Sequence, residues 1–145
     1  MMIQQISVFL ENCKGALCEL TGLLGGAGVD LMALAVADTA NFGIVRCIVK
    51  EDQLQKTTAL LTENGYTSRV SHVVCVCVPD RPAGLYEVLS MLEKEGISVE
   101  YMYSFIRSAS HKALLILRLS DNEQAVSVFE KNGVQMLSQT EVNQL

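Results

Sequence analysis

Residues 12–31, NCKGALCELTGLLGGAGVDL, return 68 positions later as residues 80–99, DRPAGLYEVLSMLEKEGISV. In this register Leu17 falls on Leu85, Glu19 on Glu87, Leu24 on Leu92 and Gly28 on Gly96, with no gap. Carried outward, the same offset pairs Val8 with Val76, Ile48 with Ile116, Asn64 with Asn132 and Gly65 with Gly133. Conservative pairs such as Leu20 with Val88, Val29 with Ile97, Leu31 with Val99 and Val49 with Leu117 fill the intervals. Self-similarity sustained over that length marks two copies of one unit, residues 1–70 and 71–145. A core of about 70 residues is marginal alone, so the copies are expected to pack against each other or against a second chain.

Each copy carries the same order of elements. Ile6, Val8 and Leu10, and later Val74, Val76 and Val78, alternate with residues that are themselves largely apolar, which is strand spacing with no wet face. Leu17, Leu20, Leu23, Leu24 and Ala27, then Leu85, Val88, Leu89 and Leu92, recur three and four apart and form helical stripes. Gly28 and Gly96 follow, suited to the left-handed residue just past a helix end. Two strands come next in each copy, Leu31–Ala37 and Gly43–Lys50, then Val99–Ile106 and Lys112–Leu119, with turns at Asn41 and Ser108–Ser110. Asp52 is expected to cap the second helix of copy one, and Ser120-Asp121-Asn122-Glu123 to open its counterpart as a capping box. Those helices should bury Leu54, Thr58 and Leu61, and Ala125, Val126 and Phe129. Asn64-Gly65 and Asn132-Gly133 end them, and a short fourth strand follows. Strand, helix, strand, strand, helix, strand is the ferredoxin-like split βαβ unit, so the fold class is α+β, with two βαββαβ units on antiparallel sheets. Helices cover one face of such a sheet only. The other face needs a partner.

Composition narrows the function classes. Half of the 145 residues are hydrophobic and 19% are charged, with no run of about 18 apolar residues, so a soluble globular chain is expected rather than a membrane span or a disordered one. Eleven basic against sixteen acidic residues give a net charge of −5, divided between the copies as five against seven and six against nine. No basic stripe is present, so neither nucleic acid nor a membrane is an expected partner. The opening MMIQQISVFL lacks a signal peptide's basic and long apolar regions, and the five cysteines have no framework spacing, so a reducing, cytoplasmic setting is expected.

Few constellations could carry chemistry. Cys75 and Cys77 share a strand face, but a site of this kind needs two more soft ligands, and His72 and His111 are the sole histidines, so buried packing is the better reading. Cys13 falls in an exposed loop without a His or Asp placed by sequence to orient it. Gly22, Gly25, Gly26 and Gly28 lie at the end of a helix, where they cannot cradle a phosphate in the dinucleotide manner. Tyr101, Tyr103 and Phe105 form an alternating aromatic row that reads as core or interface, and Glu19 and Glu87 fall on outer helix faces. No catalytic residue, metal site or cofactor is expected.

The loop from first strand to first helix is the remaining feature. Asn12 and Asp80 suit N-caps, Pro82 suits a first helical turn, and Gly15 leaves backbone N–H groups accessible. Capping explains part of this pattern. A ligand explains more: free N–H groups at a helix terminus hold a small carboxylate, while Asn12 and the nearby Asp30 could accept hydrogen bonds from an ammonium group.

These residues resemble the ACT domain, a small regulatory module that binds amino acids in metabolic enzymes and transcription regulators. The resemblance rests on a loop pattern Asp/Asn-x-Pro-Gly-x-Leu followed by a helix and Gly-Val-Asn-Ile, met here as Asn12, Gly15, Leu17 and Gly28-Val29-Asp30-Leu31, and again as Asp80, Pro82, Leu85 and Gly96-Ile97-Ser98-Val99. It implies tandem domains that associate through sheets or edges, with an effector between the first loop and a neighbouring strand. The implied ligand residues are Asn12, Lys14, Gly15, Ala16, Asp30 and Leu31 in copy one, and Asp80, Pro82, Ala83, Gly84 and Ser98 in copy two. Lys14 stands where the pattern has proline, copy two carries Ala83 with its glycine one place later at Gly84, and Asp30 and Ser98 replace asparagine. Copy one is therefore the favoured site.

The leading expectation is a regulatory, non-enzymatic protein that binds a free amino acid or similar small molecule, assembles as a homodimer and acts on a partner enzyme of amino-acid metabolism. A monomer with two facing domains stays open. An alternative is a structural partner that docks on an enzyme through its sheet without a ligand. An acylphosphatase-like enzyme would need a loop arginine in the first loop, and Arg81 supplies one in copy two alone.

Overall fold

A computed structural model describes residues 1–38, 41–106 and 112–145. The turn expected at Ser108–Ser110, and His111, lie outside the described residues. The elements in chain order are β1 (Ile3–Glu11), α1 (Ala16–Gly26), β2 (Ala33–Asp38), β3 (Phe42–Ile48), α2 (Glu51–Glu63), β4 (Thr67–Pro79), α3 (Gly84–Lys94), β5 (Val99–Ser104), β6 (Lys112–Leu119), α4 (Asn122–Lys131), β7 (Met136–Leu137) and α5 (Gln139–Asn143). This is the α+β, antiparallel βαββαβ architecture, twice. No described helix is long and apolar enough to cross a membrane.

The chain forms two compact units, Gln4–Ser71, and Met1–Ile3 with His72–Leu145. In the first, β3 lies between β2 and β1, with Val45 opposite both Val36 and Val8. The part of β4 that belongs to this unit is tied to β1 by Gln5, whose Nε2 donates to Ser71 Oγ at 3.3 Å. Ile6, Val8, Leu10, Val45 and Cys47 point toward Leu20 and Leu24 of α1 and Leu61 of α2, so alternation on the strands and three-four spacing on the helices meet in one core. In the second unit the order is β7–β4–β6–β5, with Val76 opposite Leu115 and Met136. Its core joins Val74, Val76, Val78, Leu115, Leu117 and Leu119 to Val88, Leu92 and Phe129, and Met2 packs against it.

Helix C-termini follow the glycine signals and helix N-termini do not follow the caps read from sequence. At the end of α1, Gly28 sits at φ 75° and its N–H donates to Gly25 O, while Val29 N–H reaches back to Leu24 O. Gly96 repeats this at φ 70°, with Ile97 N–H on Leu92 O. By contrast, Lys50 and not Asp52 is the N-cap of α2. Asp121 rather than Ser120 caps α4, accepting from Gln124 N–H, and Ser120 Oγ instead accepts from Ser98 N–H at 3.1 Å. The true capping box is at α5, where Ser138 and Glu141 satisfy each other. On α2 the fully buried threonine is Thr57, with its hydroxyl donating to Gln53 O, while Thr58 is half-buried. Leu17, expected in the α1 stripe, is 37% exposed.

Candidate functional site

The first loop of each copy is built around a left-handed residue. The N-cap of α1 is Gly15 at φ 84° and that of α3 is Ala83 at φ 66°, and neither makes a side-chain cap. Asn12 and Asp80 therefore are not N-caps, and Pro82 precedes the helix instead of opening it. Asn12 is drawn toward the β2–β3 end, where its Nδ2 donates to Asp38 Oδ2 at 3.3 Å and its N–H to Asn41 O. With no side chain spent on the terminus, the N–H groups of Leu17 and Cys18, and of Leu85 and Tyr86, have no acceptor among the described residues. Each is the positive end of an 11-residue helix.

The copies exchange small residues in this loop. Copy one has Gly15-Ala16 where copy two has Ala83-Gly84. A Cβ at Gly84 would stand 2.3 Å from Pro79 O, so the strand closes on the helix too tightly for any side chain. Ala83 bears the left-handed conformation that Gly15 adopts freely.

Asp30 is at the other end of α1 from Asn12, about 16 Å away along an 11-residue helix. Within one copy the structure does not bring Asp30 beside Asn12 and the open N–H groups of the first loop. Gln53 of α2 clamps the Asp30 turn: its Oε1 accepts from Asp30 N–H at 3.1 Å and its Nε2 donates to Gly28 O at 3.0 Å. Lys56 adds a bond to Ala27 O.

Beside each first loop lies a cleft. In copy one it holds about 460 Å³ and is lined by Phe9, Glu11, Cys13, Lys14, Ala16 and Glu19 on one side and by Asn64-Gly65-Tyr66-Thr67 on the other. In copy two a cleft of about 380 Å³ uses the equivalent positions Cys77, Pro79, Glu87 and Asn132-Gly133-Val134-Gln135. Lys14 and Ala16 thus share a cleft, whereas Gly15, Asp30 and Leu31 do not line it. Of the copy-two candidates, Asp80, Pro82, Ala83, Gly84 and Ser98 line neither this cleft nor a second one beside it, of about 320 Å³, formed with Leu137, Glu141 and Leu145. Phe9 and Glu11 of β1, and Tyr66, are absent from the sequence-derived set, although the repeated Asn-Gly pair at 64–65 and 132–133 marks the turn that leads into Tyr66.

The electrostatics of the two clefts differ. Arg81 grips Glu87 with two hydrogen bonds, Nη1 to Oε1 at 3.0 Å and Nη2 to Oε2 at 2.7 Å. The hydrogen bond and then the guanidinium charge hold the Glu87 carboxyl below its ordinary value and raise that of Arg81. In copy one the position of Arg81 is Cys13, and Glu19 has no cationic partner within ion-pair distance among the described residues. Burial and then the Glu19 carboxylate push the Tyr66 phenol above its ordinary 10.0. Cys47 and Cys75 are buried and their thiols are pushed up to about 12, chiefly by burial. Cys13 and Cys18 are exposed. No group of three metal-ligating side chains occurs among the described residues.

Two βαββαβ units in one chain place the protein in the ferredoxin-like class of α+β domains, in tandem. The chain belongs to the family described as an ACT domain pair, whose profile matches residues 1–145. A crystal structure of a protein from Bacteroides thetaiotaomicron is 33% identical, covers 100% of this chain and 98% of its own, and superposes with a TM-score of 0.89. The ligand-free regulatory subunit of aspartate kinase from Thermus thermophilus is 15% identical over 88% of this chain and 91% of its own, with a TM-score of 0.63. That of Thermus flavus is 13% identical over 88% and 90%, at 0.58. These two show a shared fold. Comparison with curated proteins finds no match.

Proposed function

We propose that the protein is a regulatory module that binds a free amino acid at its ACT domains and conveys that binding to a partner enzyme of amino-acid metabolism. One observation carries the reading: in both copies the first helix starts at a left-handed residue without a side-chain cap, leaving paired N–H groups open at a positive terminus. Such a terminus accepts a small carboxylate. Asn12, Lys14, Gly15 and Ala16 surround it in copy one, and Asp80, Pro82, Ala83 and Gly84 in copy two. Asp30 and Leu31, and Ser98, lie at the opposite helix end and, in the homodimer proposed here, would take part against the first loop of a second chain.

The test is a thermal-shift series with the twenty amino acids on the full chain. A binder raises Tm by mass action, by about 2.7 kcal/mol of stability at a hundredfold excess over Kd. No shift with any of them at millimolar concentration would remove the free amino-acid reading. Ligand-independent docking on an enzyme is the second reading, favoured by Val36 and Phe42, which are 51% and 46% exposed at the β2–β3 end. Retention of one partner enzyme with and without amino acid would support it.

A further inference from the structure

Residues 139–145 are where the second copy leaves the repeat. The offset of 68 lays them on residues 71–77, which in copy one run on as β4, whereas here they form α5 and the residues after it. On the sheet of this unit, Val74, Val76, Val78, Leu115 and Leu117 turn toward α3 and α4. By alternation, Cys77, its register partner Leu114 and, two residues from Leu114, Lys112 share the opposite face. Leu137, opposite Cys75, is on that face too. Together with Gln135, and with Glu141 and Leu145 from the α5 segment, these residues line the pocket of about 320 Å³. That volume is at the lower end for ligand pockets, about 300 Å³.

Two opposite charges line this pocket and are not spent on each other. Lys112 Nζ donates to Gln135 Oε1 at 2.6 Å, and its other two N–H groups have no acceptor among the described residues. Glu141 Oε2 accepts from Ser138 N–H at 2.7 Å and from Ser138 Oγ at 2.8 Å, while Oε1 has no donor among the described residues. Lys112 and Glu141 are beyond ion-pair distance of each other. Both nevertheless act on Cys77: burial raises its thiol above the ordinary 9.0, the Lys112 charge lowers it and the Glu141 charge raises it again. The cation and the anion thus stand on either side of one wall residue, and the other walls, Leu114, Leu137 and Leu145, are aliphatic.

We propose that the pocket beside α5 binds an aliphatic amino acid as its zwitterion. Lys112 Nζ takes the carboxylate, Glu141 Oε1 takes the ammonium group, and the hydrocarbon side chain lies against Leu114 and Leu137. The zwitterion is read from the two unpaired charges and not from the open helix termini, so the site goes beyond the first-loop reading in place and in ligand side chain. Copy one has no equivalent: Ile44 stands at the position of Lys112, and Val73 of β4 at that of Glu141.

The experiment is titration of the full chain with L-leucine, followed by amide NMR and calorimetry. 4-Methylpentanoate, which lacks the ammonium group, and 3-methylbutylamine, which lacks the carboxylate, serve as comparisons. Saturable binding of leucine is expected, with shifts at residues 77, 112–114, 135–137 and 141–145, and both comparison compounds should bind at least tenfold more weakly. Lys112→Met keeps the aliphatic stem and removes the charge, and Glu141→Gln keeps a residue that a capping box accepts. Each should weaken leucine by about tenfold or more with an unchanged circular dichroism spectrum. No saturation at millimolar leucine, equal binding of either comparison compound, or an affinity indifferent to Lys112→Met would each overturn the proposal. Shifts confined to residues 12–18 and 80–86 would overturn it too, while upholding the first-loop reading; shifts at the α5 pocket alone would do the reverse. Should either variant fail to fold, the two comparison compounds and the shift map on the parent chain decide.

Discussion

Ala83 holds a conformation that L-residues avoid, at about 1–2 kcal/mol, while its neighbour Gly84 is pressed against Pro79 O. Two substitutions one residue apart should therefore act in opposite directions. Ala83→Gly relieves the left-handed strain and gives back part of it as extra freedom in the unfolded chain, so urea denaturation should show a gain of about 0.5–1 kcal/mol. A loss would mean that the Ala83 methyl makes contacts that outweigh its strain. Gly84→Ala places a Cβ within 2.3 Å of a backbone oxygen that has nowhere to retreat, and a loss of about 3 kcal/mol is expected. The family pattern hinted at this exchange, since its glycine is displaced by one position in copy two, but the direction of strain is a backbone property that residue types do not state. Asp30 makes a contrasting case. Its backbone N–H is held by Gln53, so Asp30→Ala should leave stability within about 1 kcal/mol while removing amino-acid binding if its carboxylate faces the ligand. Unchanged affinity would take Asp30 out of the site.

At the level of elements, helix ends were legible and helix starts were not. A glycine past the last apolar position has one physical use, so Gly28 and Gly96 could be placed from sequence. Asn12, Asp80, Asp52 and Ser120 each have a capping side chain, yet none of the four caps its helix, because side chains of this type have alternative partners nearby: Asp38 for Asn12, and the Ser98 N–H for Ser120. The same ambiguity hid α5, five residues long, whose Ser138–Glu141 box was the one true signature of its kind. Asn12 and Asp30 flank the helical stripe Leu17–Ala27 that the sequence shows, and the length of that helix sets them at its opposite ends. The Gln53 clamp is an element-scale contact, joining the start of α2 to the end of α1. Gln53→Ala should remove two hydrogen bonds and cost about 1–2 kcal/mol, read as a lower denaturation midpoint with an unchanged m-value. A midpoint equal to that of the parent would show the turn to be held by the backbone bonds of Gly28 and Val29 and by Lys56 on Ala27 O.

Over the whole molecule, each copy closes its core on a sheet face that carries buried thiols on one side or the other. Cys47 in one unit and Cys75 in the other have thiols raised from an ordinary 9.0 to about 12. In the unfolded chain they lose protons near the ordinary value; in the folded chain they keep them. Their contribution is therefore complete below pH 9.0 and is lost as pH rises toward about 12, so stability should fall on the alkaline side. Iodoacetamide should modify Cys13 and Cys18 in the native protein and reach Cys47 and Cys75 only after denaturation. Early modification of either buried thiol by mass spectrometry would show that its unit opens locally. The repeat made the two-unit plan readable, since matching apolar positions imply matching cores. It did not reveal that Met1–Ile3 join the unit of the second copy, with Met2 packed on that core. Synthesis runs from N- to C-terminus, so Met1–Ile3 are made before Gln4–Ser71 and find their contacts only after it. The unit Gln4–Ser71 is one uninterrupted stretch of chain, whereas the later unit must recover a segment made before its neighbour. A change at Met1–Ile3 would consequently burden the C-terminal copy and leave the unit adjoining it in sequence untouched.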